Sequence, residues 1–147
     1  MSHSRIIQVS RNRVNETERV KANDLDIDML QREIEYLDYI VDSDETREDD
    51  LLWLKKGLEK IGFSLEGDKV ITGTDTQFLS RWKEEAIKAA ESLDLWKMQS
   101  IANGSNFSAF YILDEAYGYP ISLWHWAKEV VNSGEEYFVG GIIDYHF

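Results

Sequence analysis

Apolar side chains along this chain keep two periods, one of helices and one of strands. Leu30, Ile34, Leu37 and Val41 fall at helical spacing and predict a helix from about Asp26 to Val41, its aspartates near the electropositive N-terminus. Leu51, Leu54, Leu58 and Ile61 form a second stripe, after a capping region at Ser43-Asp44-Glu45-Thr46-Arg47 and ending at Gly62. A third runs through Leu79, Trp82, Ala86, Ala89 and Leu93, capped by Thr74 or Asp75, with no breaker before Asn103-Gly104 to stop it short of Ile101. Ser122 caps a fourth, which carries Leu123, Trp126, Ala127 and Val130 and closes at Asn132-Ser133-Gly134.

Between these stripes lie short β-prone runs. Residues 5–9 read as an opening strand, 10–23 as a loop, and residues 1–4 as a loose tip. Residues 63–72 read as a hairpin around Gly67-Asp68. Phe107 to Leu113 looks like a buried strand, Gly118-Tyr119-Pro120 a turn, and Tyr137 to His146 a last strand. The adjacent Gly140 and Gly141 inside that strand predict a bulge or a close backbone approach. The expected fold class is α+β, as one globular domain. It has three to four helices on a small, mainly antiparallel sheet that includes the hairpin near 63–72 and the C-terminal strand.

Composition sharpens this picture. The 147 residues are 43% hydrophobic, enough for a core, and contain no cysteine, which removes disulfides, Cys-ligated metals and cysteine nucleophiles. The longest unbroken apolar run, Ala109–Leu113, falls well short of the ~20 residues of a membrane helix, and the first residues lead into no signal-peptide-like run. A cytoplasmic location is expected. The net charge is −12, which disfavours direct nucleic-acid contact and anionic membranes. That charge is uneven. Residues 1–14 carry +3, residues 15–50 carry −10, residues 51–97 are neutral with eight charges of each sign, and residues 98–147 carry −5.

Three groups of residues offer chemistry. In an extended strand Asp144 and His146 point to one face, and a carboxylate beside an imidazole is the arrangement of a general base. The plain alternative is the solvent face of a terminal strand. Trp124, His125 and Trp126 fan out over about 200° of a helix, so one tryptophan should pack inside while the other lies nearer the surface with His125, as a pocket wall or partner contact. Asp24, Asp26 and Asp28, with Glu35 at the twelfth position, have the spacing of a calcium loop, but Met29 stands where the tight turn needs glycine. The glycines form no phosphate-binding motif, and no cofactor or metal is expected.

The acidic segment is the fourth candidate and the broadest. Asp24, Asp26, Asp28, Asp42, Asp44, Glu45, Glu48, Asp49 and Asp50 sit in it and could steer a basic partner, or could simply be a solvated face. The leading expectation is therefore a non-enzymatic protein that binds another macromolecule through an acidic face and exposed aromatics. Its partner would be a protein, basic where the two meet, and its role regulatory, inhibitory or immunity-like. Two alternatives stand beside it: a small-molecule enzyme or ligand-binding domain built on Asp144 and His146 near the Trp124–Trp126 helix, and a DNA mimic that blocks a DNA-binding protein.

Overall fold

The computed structural model describes residues 2–96, 98, 101 and 110–147. Its centre is the C-terminal strand. Seven strands, β1 (His3–Ser10), β2 (Tyr39–Asp42), β3 (Ser64–Glu66), β4 (Lys69–Ile71), β5 (Phe110–Asp114), β6 (Pro120–Ser122) and β7 (Tyr137–His146), join in the order β3-β4-β7-β1-β5-β6. β2 also pairs with β7. Four helices bounded within the described residues pack with this open sheet: α1 (Ile27–Glu33), α2 (Arg47–Glu59), α3 (Asp75–Glu91) and α4 (Leu123–Val130). Only β1 and β5 run parallel, so the α+β class with a mainly antiparallel sheet is as expected.

One edge of β7 is taken by β1 along its whole length. The other edge is shared. β4 pairs with Tyr137 and Phe138, and β2 pairs with Ile143–His146. In the gap between them the Arg47 guanidinium donates to the carbonyl oxygens of Val139 (3.0 Å) and Gly140, which satisfies acceptors that a strand would otherwise take.

The glycine pair in β7 is both a bulge and a close approach. The β1–β7 register shifts between Ile7 and Val9, which face Ile142 and Val139, and Gly140 and Gly141 lie opposite Gln8. The Gln8 amide oxygen accepts from Gly141 N (2.7 Å) and from Val20 N (2.8 Å). A Cβ on Gly140 would collide with the Gln8 side chain, and one on Gly141 with the Val20 carbonyl. The bulge thus ties residues 16–20 onto the sheet.

Both faces of the sheet are covered. On one, Ile7, Val9, Ile112, Val139 and Ile142 meet α2, α4 and the β3–β4 hairpin. On the other, Ile6, Ile143 and Tyr145 meet Leu30, Ile34 and Leu37 from α1 and the turn after it. Each such aliphatic side chain, fully buried, contributes roughly 1.5–3 kcal/mol.

Several expectations need correction. The helix expected to reach Val41 stops at Glu33. Ile34 leaves helical backbone, Tyr36 takes a left-handed φ of 63°, and Tyr39-Ile40-Val41 joins β7 as a strand. α2 is capped from within the expected region: the Thr46 side chain accepts from Asp49 N. α3 ends at Glu91 because Ser92 departs from helical angles, and part of the stretch expected to continue it to Ile101 lies outside the described residues. So do 107–109 of the strand expected to start at Phe107. Pro120 belongs to β6, an edge strand, where a missing N–H costs no ladder bond. Of the tip expected to be loose, Ser2 to Ser4 are paired, and Met1 lies outside the described residues. β1 begins at His3, and Ser2 exchanges two backbone hydrogen bonds with Phe147.

Candidate functional site

Residues 15–50 wrap one end of the sheet. α1 lies over the face carrying Ile143 and Tyr145, the first turn of α2 over the opposite face, and β2 forms the edge between them. The segment is amphipathic in the ordinary sense: Leu30, Ile34 and Leu37 are buried beneath it and its carboxylates point outward.

Some of those carboxylates hold the backbone. Glu18 accepts from Asn15 N and Asp24 from Lys21 N, each closing a short 3-10 turn. Asp26 caps α1 by accepting from Asp28 N, and Asp42 accepts from Ala22 N (2.6 Å). Asp28, Asp44, Glu45, Glu48 and Asp49 are exposed, and the last two sit in the first turn of α2, where the helix dipole favours them. Of the fourteen acidic side chains in 15–50, thirteen are exposed. Among the described residues no salt bridge links any of those thirteen to a basic side chain.

The fourteenth is Asp50, and it does not belong to the outer face. It is buried, 5% exposed, and Arg5 Nη1 donates to it at 2.8 Å. Ser43 Oγ donates to the same oxygen at 2.9 Å. Arg5 reaches Asp144 through Nε at 3.4 Å and lays its guanidinium over the Trp53 ring at 4.3 Å. Burial pushes the Asp50 carboxyl above its ordinary pKa, helped by neighbouring Asp144 and opposed by the Ser43 hydrogen bond, Arg5 and Arg47. Burial and then the nearby Arg19 charge lower the Arg47 pKa. The node of Arg5, Asp50 and Asp144 thus joins β1, α2 and β7 under the acidic end.

Asp144 and His146 do share a face of β7, but they have different partners. Asp144 faces Arg5 and Asp50. His146 stacks on Tyr39 with ring centroids 4.3 Å apart and near-parallel planes, with His3 on its other side at 5.7 Å. No hydrogen bond joins Asp144 to His146 among the described residues. Neither residue lines any of the surface cavities of about 660, 290, 380 and 360 Å³ formed among the described residues.

The expectation of an exposed tryptophan on α4 is overturned. Trp124 and Trp126 are 3% and 0% exposed. Trp124 packs against Phe78 of α3, and Trp126 against Phe63 and Tyr137, with its indole N–H donating to the buried Asp114 (3.0 Å). Phe78 meets one indole and Phe63 and Tyr137 the other, so both tryptophans of the fan find partners in other elements. His125 alone of the three is exposed, beside Glu129.

The exposed aromatics of this end are tyrosines that the chain's pattern hid. Tyr36 is 68% exposed and Tyr39 41%, with Val41 at 40% on the same strand. Their signal was the β-branched run beginning at Tyr39, masked by a coincident helical spacing of apolar residues. Among the described residues no group of three or more His, Asp or Glu is arranged to hold a metal ion. No helix among them is long and apolar enough to cross a membrane. Comparison with protein-family models, with curated proteins and with solved structures returns no match.

Proposed function

We propose that the chain is a binding protein whose acidic end, residues 15–50 around the edge strand β2, engages a basic macromolecular partner. A single observation carries this reading: thirteen exposed carboxylates in one segment without a salt bridge to a basic side chain among the described residues. A purely structural segment of such charge would relieve its own repulsion with lysine or arginine. Here the repulsion stands until an opposite charge arrives.

The exposed side chains of β2 fit the same reading. Among the described residues β2 pairs on one side only, with β7, and it carries Tyr39 and Val41 outward between Asp38 and Asp42. Charges at the ends of an edge strand discourage pairing with like strands. They favour a basic one. Tyrosines ringed by charge are the usual makings of a contact hot spot. A regulatory, inhibitory or immunity-type role suits such a surface, and a DNA-binding protein would be one partner of the right charge.

The test is affinity capture on the immobilised full chain, wild type against neutralised variants. Glu33→Gln/Glu35→Gln/Asp38→Asn and Asp44→Asn/Glu45→Gln/Glu48→Gln remove charge without touching a backbone cap. Asp75→Asn/Glu84→Gln/Glu85→Gln on α3 is the control. Partners should be basic, lost from the first two variants and kept by the control. Retention by all three would contradict the proposal.

A further inference from the structure

α3 turns the wrong way for a helix that belongs only to this core. Of its seventeen residues Phe78 and Ala89 alone are buried. Leu79 is 60% exposed, Trp82 37% and Ile87 50%, and Leu93, Leu95, Trp96 and Met98 continue the apolar surface beyond the helix end at 55–80%. Among the described residues, seven of the fourteen exposed large hydrophobics therefore lie within twenty positions. Monomers seldom leave such a patch open.

We infer that this face is where two copies of the chain meet, as an antiparallel pair of α3 helices about a two-fold axis at Ala86. Two observations select a second copy over any other occupant. The first is the stripe itself. Leu79, Trp82, Ala86 and Ala90 fall within one arc of about 80°, at the spacing of a helix-pairing seam. A two-fold interface must be self-complementary, with residue i meeting j and j meeting i. Reversed about Ala86, the stripe sets the bulky Trp82 against the small Ala90, Ala86 against itself, and Leu79 against Leu93 just past the helix end. Large meets small at each Trp–Ala contact, and the alanines let the backbones approach. A parallel pair would instead set Trp82 against Trp82.

The second observation is charge. Two chains of net −12 repel each other over most of their surface, with −10 in residues 15–50 and −5 in residues 98–147. Residues 51–97 carry eight charges of each sign and so offer a balanced surface for like copies to approach. Their association should tighten as salt screens the remaining repulsion.

Sedimentation velocity over a wide concentration series tests this directly. The mass should rise from 17.1 kDa towards twice that value. Leu79→Asp, at an exposed position that the fold does not need, should weaken association by at least about a hundredfold, because the two-fold doubles each substitution. The register has its own test, since the chain has no cysteine. Ala86→Cys should oxidise to a disulfide-linked dimer, while Lys88→Cys on the far side of the helix should not. A single 17.1 kDa species at every concentration would overturn the inference and leave the face to a different occupant. A dimer that survives Leu79→Asp would overturn the choice of helix. Equal crosslinking at both cysteines would overturn the register.

Discussion

The acidic end wraps the sheet and lends it β2, α3 contributes no strand, and the two are built in opposite senses. Residues 15–50 bury Leu30, Ile34 and Leu37 and turn carboxylates outward. α3 buries Phe78 and Ala89 and turns Leu79 and Ile87 outward. One region displays charge anchored by apolar contacts, and the other displays apolar surface among balanced charges. The contrast predicts opposite responses to salt. Contacts made by the acidic end should weaken as salt rises, and contacts made by α3 should strengthen.

The sharpest way to break the contrast is to loosen the acidic end from beneath. Leu30→Ala empties a fully buried position under α1 and should cost about 2–5 kcal/mol, read as a lower urea midpoint. Amide exchange should quicken over residues 16–42 more than in α3. Equal quickening in both would mean that the two regions are not distinct. Gly141→Ala drives a Cβ into the Val20 carbonyl and should cost about 1–3 kcal/mol, again with faster exchange near residue 20. Unchanged stability would mean that the Gln8 tie to Val20 and Gly141 is dispensable.

Alkaline pH loosens the same end by a different route. Tyr145 lies beneath α1, and burial pushes its phenol up to about 12, with a hydrogen bond from the Ser4 side chain working against the shift. The unfolded chain ionises this group near its ordinary value of about 10, so the native state holds the proton longer. Tyr145 therefore contributes stability that is fully present below pH 10 and is lost as pH rises through about 12. Thermal melts of Tyr145→Phe should show a shallower fall over that window than wild type. Parallel curves would contradict the assignment.

The smallest expected change is a gain. Tyr36 sits at φ 63°, a conformation that costs a non-glycine residue about 1–2 kcal/mol. Tyr36→Gly relieves that strain but adds freedom to the unfolded chain, for a net stabilisation of up to about 1 kcal/mol. The same variant removes an exposed aromatic from the proposed contact surface, so it should raise the melting temperature and weaken partner binding together. A gain in both would place Tyr36 outside the interface.

What could be read in the chain was local. The hairpin declared itself through Gly67-Asp68, α4 through its Ser122 cap, and the bulge of β7 through Gly140-Gly141. What could not be read depends on contacts between distant positions. Val41 matches the helical spacing of Leu30, Ile34 and Leu37, yet residues 39–42 pair with β7, a hundred positions away in the chain. The Arg5–Asp50 and Gln8–Gly141 contacts span 45 and 133 residues, and no spacing rule reaches that far. The same holds for the tryptophans of α4, whose burial was decided by Phe78, Asp114 and Tyr137 from three other elements. The acidic character of the candidate surface was legible as a −10 segment, while its tyrosines were not.

The central claim is that the carboxylates of residues 15–50 recruit a basic partner, and the association rate against ionic strength tests it most directly. For the captured partner, wild type should associate more slowly as salt rises. The Glu33→Gln/Glu35→Gln/Asp38→Asn and Asp44→Asn/Glu45→Gln/Glu48→Gln variants should start slower and respond less. An association rate that is flat in salt, or equal in wild type and both variants, would contradict it.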